Sequence, residues 1–365
     1  MKILFLPNWK VHHIDSDTHG LQTPDKYVLA QPYWFFKYFP ERAEVDIIDI
    51  QEHNVLYPLE KKIKFYIMQS IMAFFSKKHY DVIISHGAQS GLMLSLLRTL
   101  TFRRSPLHII FDIGGMNGGR SNIIENGLIK FALISKPNII CHSRIIIENY
   151  KSTYKKLIDS ALFIPFCVDT DYFSPLVEIE EQESYILSFG YAKRDYNTLL
   201  KAWEGISTSV KLRIIGLPEK DWLQIPNVEF LGNVSINELK IQIQKSLFVV
   251  IPLPVYNYSY GQMSFLQSMS MGKTVIVTIT PSSIDYLKDG NGSFLVQPYN
   301  ILDLRSKIEL LLNDKDILIK NNQLARRYVL DNFSEKNMGL QLYDYIISLF
   351  MKDTKIRYHE NSPYK

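Results

Sequence analysis

Cysteine is nearly absent: Cys141 and Cys167 are the only two in 365 residues, and neither stands at a metal-ligand spacing. This excludes a disulfide-built scaffold and a zinc module, and makes a reducing cytoplasm the expected compartment. The nine histidines form no H-x-x-x-H cluster, so no metal is expected. No apolar run reaches the roughly 18 residues of a membrane span. Met1 to Pro7 (MKILFLP) reads as a strand ended by proline rather than as a secretory leader. A net charge of +4 is small, without the basic stripe and module of a nucleic-acid binder. Sequence repeats of roughly 20–50 residues, the mark of a solenoid, are also missing.

What is present describes a soluble globular chain, 46% hydrophobic and 21% charged, long enough for two domains. The first half alternates apolar strand-length runs with helix-length segments. The strands are expected at Lys2–Leu6, Val45–Ile50, Asp81–Ser85, His108–Phe111, Asn138–Cys141 and Leu162–Pro165. The second half restarts the rhythm at Tyr185–Phe189, Lys211–Ile215, Val228–Leu231, Phe248–Ile251, Thr274–Thr278 and Phe294–Val296. Such alternation specifies an α/β fold with two doubly wound parallel sheets. The first loop, from Pro7, faces the ligand side of such a sheet and carries Asp15, Asp17 and His19. The acidic stretch Val177 to Glu183 reads as a linker.

Phe248 to Thr278 is the stretch most suggestive of a ligand. A buried strand leads through a polar, aromatic loop to Gly261, then a helix from Gln262 to Met271, then a second strand. Ligands of open parallel sheets sit beyond the carboxyl ends of the strands. The free amides around Gln262, Met263 and Ser264 suit a phosphate, and Gly261 lets it approach the backbone.

This stretch resembles the donor-binding signature of retaining, family-four glycosyltransferases, which have the two-domain GT-B fold. Aligned on Gly272-Lys273, the family's two glutamates fall on Ser259 and Gln267, and Gly261-Gln262 is similar to a Gly-Gln variant of the signature. Ile164-Pro165-Phe166-Cys167-Val168-Asp169, with Phe173 and Pro175, resembles the family's interdomain motif. The Asp169-Thr170-Asp171 within it can also be read as the metal-binding Asp-x-Asp of the other main glycosyltransferase fold. Arg194 aligns with a lysine that neutralises the donor diphosphate in relatives, beside Gly190 and Lys193. Guanidinium suits that role through paired hydrogen bonds. Asp285 to Gly292 resembles the loop that walls the nucleotide pocket.

By that resemblance, residues 1–168 form an acceptor-side domain, 169–335 the donor domain, 336–351 a helix crossing back to the first domain, and 352–365 a charged, frayed tail. The expected reaction moves a sugar from a nucleotide-diphosphate donor, UDP slightly favoured, to an acceptor hydroxyl with retention and without metal or other cofactor. The acceptor is expected to be a carbohydrate or lipid-linked saccharide of surface-polysaccharide, lipopolysaccharide or other glycoconjugate synthesis. An epimerase or phosphorylase of the same fold and an inactive nucleotide-sugar-binding partner are the alternatives. His86 and Asp112, at strand ends followed by glycines, are the catalytic candidates together with Arg194. Lys61 to Lys78, basic at both ends and strongly apolar between, reads as one helix, either a core helix with solvated ends or a surface for peripheral contact with an anionic membrane on its cytoplasmic face. No nucleic-acid partner is expected.

Overall fold

The computed structural model describes residues 1–16, 21–63, 65–116, 123–158, 161–176, 185–216, 222 and 224–360. The first half holds β1 (Lys2–Pro7), the short pair β2 (His12–Ile14) and β3 (Lys26–Val28), β4 (Glu44–Ile47), β5 (Val82–His86), β6 (Leu107–Asp112), β7 (Asn138–Cys141) and β8 (Leu162–Phe163). Between them lie α1 (Tyr57–Ile63), α2 (Ile67–Phe74), α3 (Ala88–Leu100), α4 (Ile123–Leu133) and α5 (Arg144–Tyr154). A parallel sheet forms in the order β4-β1-β5-β6-β7-β8. Its central strands are apolar on both faces because helices cover both: Ile83, Ile84, Ile109 and Ile110 are all buried. From β5 to β8 every crossover steps the same way, so the right-handed rule stacks the intervening helices on one face.

The second half contains β9 (Tyr185–Phe189), α6 (Tyr196–Trp203), β10 (Lys211–Ile215), β11 (Val228–Phe230), α7 (Ile236–Lys245), β12 (Val249–Ile251), α8 (Gln262–Ser270), β13 (Val275–Thr278), β14 (Ser293–Val296), α9 (Ile301–Asn313), α10 (Lys315–Asn332) and α11 (Glu335–Glu360). Its sheet, again parallel, runs β11-β10-β9-β12-β13-β14. Strand order reverses between β1 and β5 in one sheet and between β9 and β12 in the other, and both switch points open a crevice at the strands' carboxyl ends. From α11, Met338, Leu342 and Ile346 enter the first sheet's core beside Phe5, Phe35 and Phe36. Gly339 allows this: a Cβ there would stand 2.5 Å from the Phe35 carbonyl oxygen.

Two expectations are corrected. Lys61 to Lys78 is not one helix but the separate α1 and α2. The cause is Glu60, a buried side chain whose carboxylate takes the Met68 amide at 2.6 Å and the Asn54 amide group at 3.1 Å, turning the chain between them. The expected frayed tail from Lys352 instead continues α11 to Glu360. Asp17, His19 and the 177–183 linker lie outside the described residues, and Asp15 is exposed at the end of β2.

Candidate functional site

At the second switch point, the loop after β9 meets the start of α8. Gly261 caps that helix at φ 84°, a left-handed conformation, and a Cβ there would press on Leu253 at 2.9 Å. The amides of Gln262 and Met263 have no backbone acceptor among the described residues. Arg194 ties the two loops together. It donates from Nε to the Phe189 carbonyl at 2.9 Å, from Nη1 to the Ala192 and Lys193 carbonyls at 3.3 and 3.1 Å, and from Nη2 to Ser264 Oγ at 2.7 Å. Gly190 makes room, since a Cβ on it would fall 2.6 Å from the guanidinium carbon. Burial lowers the Arg194 pKa from its usual value.

Lys193 lies over the Tyr258 ring at 4.1 Å, and Tyr258 stacks on Tyr256 at 5.1 Å. Tyr256, Tyr258 and Tyr260 thus line the loop with aromatic faces. Gln267 is buried, one turn into α8, and its amide group makes no hydrogen bond to a described residue. Gln262 turns inward to Ser259 Oγ. The second sheet's loop reaches the first sheet there, where the Ser259 amide donates to the Ile113 carbonyl at 3.3 Å. Tyr258 also packs so closely on Gly114 that a Cβ on it would stand 2.7 Å from the Tyr258 Cβ. The structure therefore brings Gly190, Lys193, Arg194, Gly261, Met263, Ser264 and Gln267 round one crevice, and turns Ser259 and Gln262 toward the facing sheet.

On the first-sheet side, Asp112 is buried and already bonded. Its Oδ1 accepts the Gly115 amide at 2.9 Å and its Oδ2 the Tyr150 hydroxyl, while burial raises its pKa. The carboxylate thus holds the Gly114-Gly115 turn, with both oxygens engaged. His86 sits at the end of β5 among Trp9 (4.8 Å), Phe111 (5.5 Å) and Trp34 (5.6 Å). His142, overlooked as a chemical group in the sequence, donates from Nδ1 to the Ile164 carbonyl at 2.8 Å. Burial holds His86 down to about 3 and His142 to about 4, so both rings are neutral. Their Nε2 atoms are buried with no partner among the described residues.

The two sheets are also joined by Asp285, expected in the nucleotide pocket wall. It takes Ser143 Oγ and the Arg144 amide, each at 2.8 Å, and pairs with the Arg144 guanidinium at 2.9 Å. Asp169, in the interdomain motif, accepts the amides of Asp171 (3.1 Å) and Tyr172 (2.9 Å). Thr23 Oγ1 lies 2.5 Å from Asp169 Oδ2 and 2.7 Å from Glu335 Oε1. One hydroxyl hydrogen cannot serve both, so one carboxyl group carries a proton. Burial, reinforced by Asp169, raises Glu335 to about 7, which favours its holding that proton. No periodicity connects residues so distant in the chain, and the one sequence mark is Ser334-Glu335 at a helix start.

Residues 184–314 match the family described as Glycosyl transferases group 1. Over 157 residues the chain is 26% identical to the capsular polysaccharide biosynthesis glycosyltransferase CapM of Staphylococcus aureus, covering 40% of each chain. Among solved structures, the sucrose-phosphate synthase of Thermosynechococcus elongatus superposes with a TM-score of 0.68 at 15% identity, over 96% of this chain and 100% of that one. Anabaena HepE, solved in complex with UDP, gives 0.65 at 13% identity over 95% and 100%. These likenesses show the fold, two Rossmann-like domains of the GT-B type.

Proposed function

We propose that this protein is a glycosyltransferase that moves a sugar from a nucleotide-diphosphate donor to an acceptor hydroxyl with retention of configuration, in the synthesis of a surface polysaccharide or related glycoconjugate. The observation that carries the reading is coincidence: the group 1 match over residues 184–314 contains the crevice between β9, β12 and α8. In that crevice the unpaired amides of Gln262 and Met263 meet the diphosphate, and Gly261 admits it to the backbone. Lys193 and the remaining N–H of Arg194 add positive charge as the bond from the sugar to the diphosphate breaks. The acceptor oxygen forms the new bond and its proton passes to the leaving phosphate. Gln267 accepts hydrogen bonds from the ribose. His86 stays neutral beside the sugar, and Asp112 acts through the Gly114-Gly115 turn that it holds. A UDP-sugar is the first donor class to try, with no metal or cofactor invoked. The acceptor is a saccharide, free or lipid-linked, and a peripheral contact with anionic membrane on the cytoplasmic side brings the chain to it.

Calorimetric titration with UDP, GDP and ADP, followed by turnover of the matching sugar nucleotides, tests this. Micromolar binding of one nucleotide and release of its diphosphate only when acceptor is present are expected. Conversion of the sugar nucleotide to an isomer without acceptor would establish an epimerase instead. A binding-only partner is the second reading, favoured by Ser259 and Gln267 standing where the resembling signature has carboxylates. Tight binding with no turnover of any common donor would establish it.

A further inference from the structure

The helical layer on the first sheet has an apolar face, at Leu128 and Phe131, that is exposed among the described residues. Helix α4 buries Ile129, Ala132 and Leu133 on its inner side, yet its outer side is also apolar. Ile124, Leu128 and Phe131, at four- and three-residue spacing, are exposed, Ile124 to 71%. A helix apolar on both sides needs a second partner. Between α4 and α3 lies a mainly apolar groove of about 420 Å³, lined by Leu92, Leu96, Leu128, Ile63 and Phe65, with Glu125 as its one carboxylate among the described residues.

The same layer is basic at its far end. Between the ends of α2 and α3 is a cavity of about 300 Å³ lined by Lys77, Lys78, His79, Arg98 and Arg103; Lys78 pairs with Asp46 at 2.8 Å, leaving Lys77, Arg98 and Arg103 as its cations. Arg98 is 4% exposed, and its Nε and Nη2 donate to the carbonyls of Arg103, Arg104 and Pro106. Its Nη1 has no hydrogen-bond partner among the described residues. Two exposed rings, Phe75 and Phe102, follow and precede the lining residues Phe74 and Arg103 in the chain, Phe102 being 91% exposed.

We infer that this layer docks on an anionic lipid bilayer, with the outer face of α4 and its groove entering the acyl boundary and the Arg98 cavity taking a lipid phosphate. Apolar area gives the depth and the cations select the headgroup charge. A second copy of the chain is the poorer occupant, because a two-fold contact would bring these cations against themselves. The inference rests on the peripheral membrane contact of the proposed function but moves its centre from Lys61–Lys78 to α4.

Sedimentation of the full chain with vesicles of phosphatidylglycerol and phosphatidylcholine, against phosphatidylcholine alone, tests it. The wild type should bind the anionic vesicles and release in salt. Leu128→Ser with Phe131→Ser should lower partitioning about tenfold or more, at an unchanged melting temperature. Phe102→Ser, on a loop, gives a second reading if that pair perturbs folding. Lys77→Gln with Arg103→Gln should weaken binding and flatten its salt dependence. If these variants bind like wild type while Lys61→Gln with Lys62→Gln does not, membrane contact stands and this face is wrong. No binding to anionic vesicles at low ionic strength would overturn both. A dimer in sedimentation velocity that Leu128→Ser with Phe131→Ser abolishes would assign the face to a second copy.

Discussion

Arg194 carries two duties that its sequence position does not separate. It points four of its N–H groups at the Phe189, Ala192 and Lys193 carbonyls and at Ser264, so it braces the loop proposed to receive a diphosphate. Arg194→Ala should weaken nucleoside-diphosphate binding roughly ten- to a hundredfold, the scale of charge-assisted hydrogen bonds, and bare nucleoside much less. Calorimetry with UDP and uridine would separate the duties: equal losses for both ligands assign Arg194 to the loop alone. Arg194→Lys should not restore binding, since an ammonium cannot span the same fork of acceptors. Gln267 is simpler, with a buried amide lacking a described partner. Gln267→Glu should keep or improve donor affinity, because a charged acceptor strengthens its bonds to hydroxyls. Gln267→Leu should weaken it, and similar dissociation constants for all three forms would remove the ribose role.

At the scale of an element, α8 is the part on which the proposed donor binding turns. Its start combines a left-handed Gly261, a Leu253 side chain against that glycine and two amides without backbone acceptors. Met263 is in the first turn, where proline is sterically tolerated and only the N–H is lost. Met263→Pro should therefore abolish turnover while shifting the melting temperature little; retained turnover would show that this amide meets no phosphate. α1 and α2 teach the opposite lesson. Their apolar and basic pattern continues through Lys61–Lys78, and one buried carboxylate, Glu60, divides it by accepting the Met68 amide.

Across the whole molecule, Glu335 joins three distant segments through Thr23, Trp34 and Lys37, next to Asp169. Its pKa is raised from 4.5 to about 7 on folding. The native state thus holds more protons than the unfolded one between those values, and stability falls as pH rises through that window. The full effect is on the order of 3 kcal/mol. The histidines act oppositely: His86 and His142, held down to about 3 and about 4, give stability that is present above 6.5 and lost as pH falls. Between roughly pH 4.5 and 6.5 the Glu335 trend offsets about one of the two histidines, so stability still declines as pH falls there. Glu335→Gln should remove the first, leaving stability nearly flat from pH 6.5 to 8 and declining clearly below. Urea denaturation across pH measures this, and an unchanged wild-type profile in the variant would mean that Glu335 titrates normally.

Two parallel sheets, nearly every strand within a residue or two and the place of the phosphate-facing helix were legible in the sequence, because buried strands and crossover helices impose apolar runs and punctuation that need only neighbours in the chain. Of the crevice residues, Gly261 was legible as a helix start, while Gly190, Lys193, Arg194 and Gln267 were picked out through the resemblance to a family signature. The state of each group was not. Asp112 is occupied by Tyr150, Asp285 by Ser143 and Arg144, and Glu335 by Thr23. Those partners lie 38, 142, 141 and 312 residues away along the chain. Which carboxylate is free, which is bound and which keeps its proton depends on desolvation and contact across the packed sheets, and only the tertiary structure decides it.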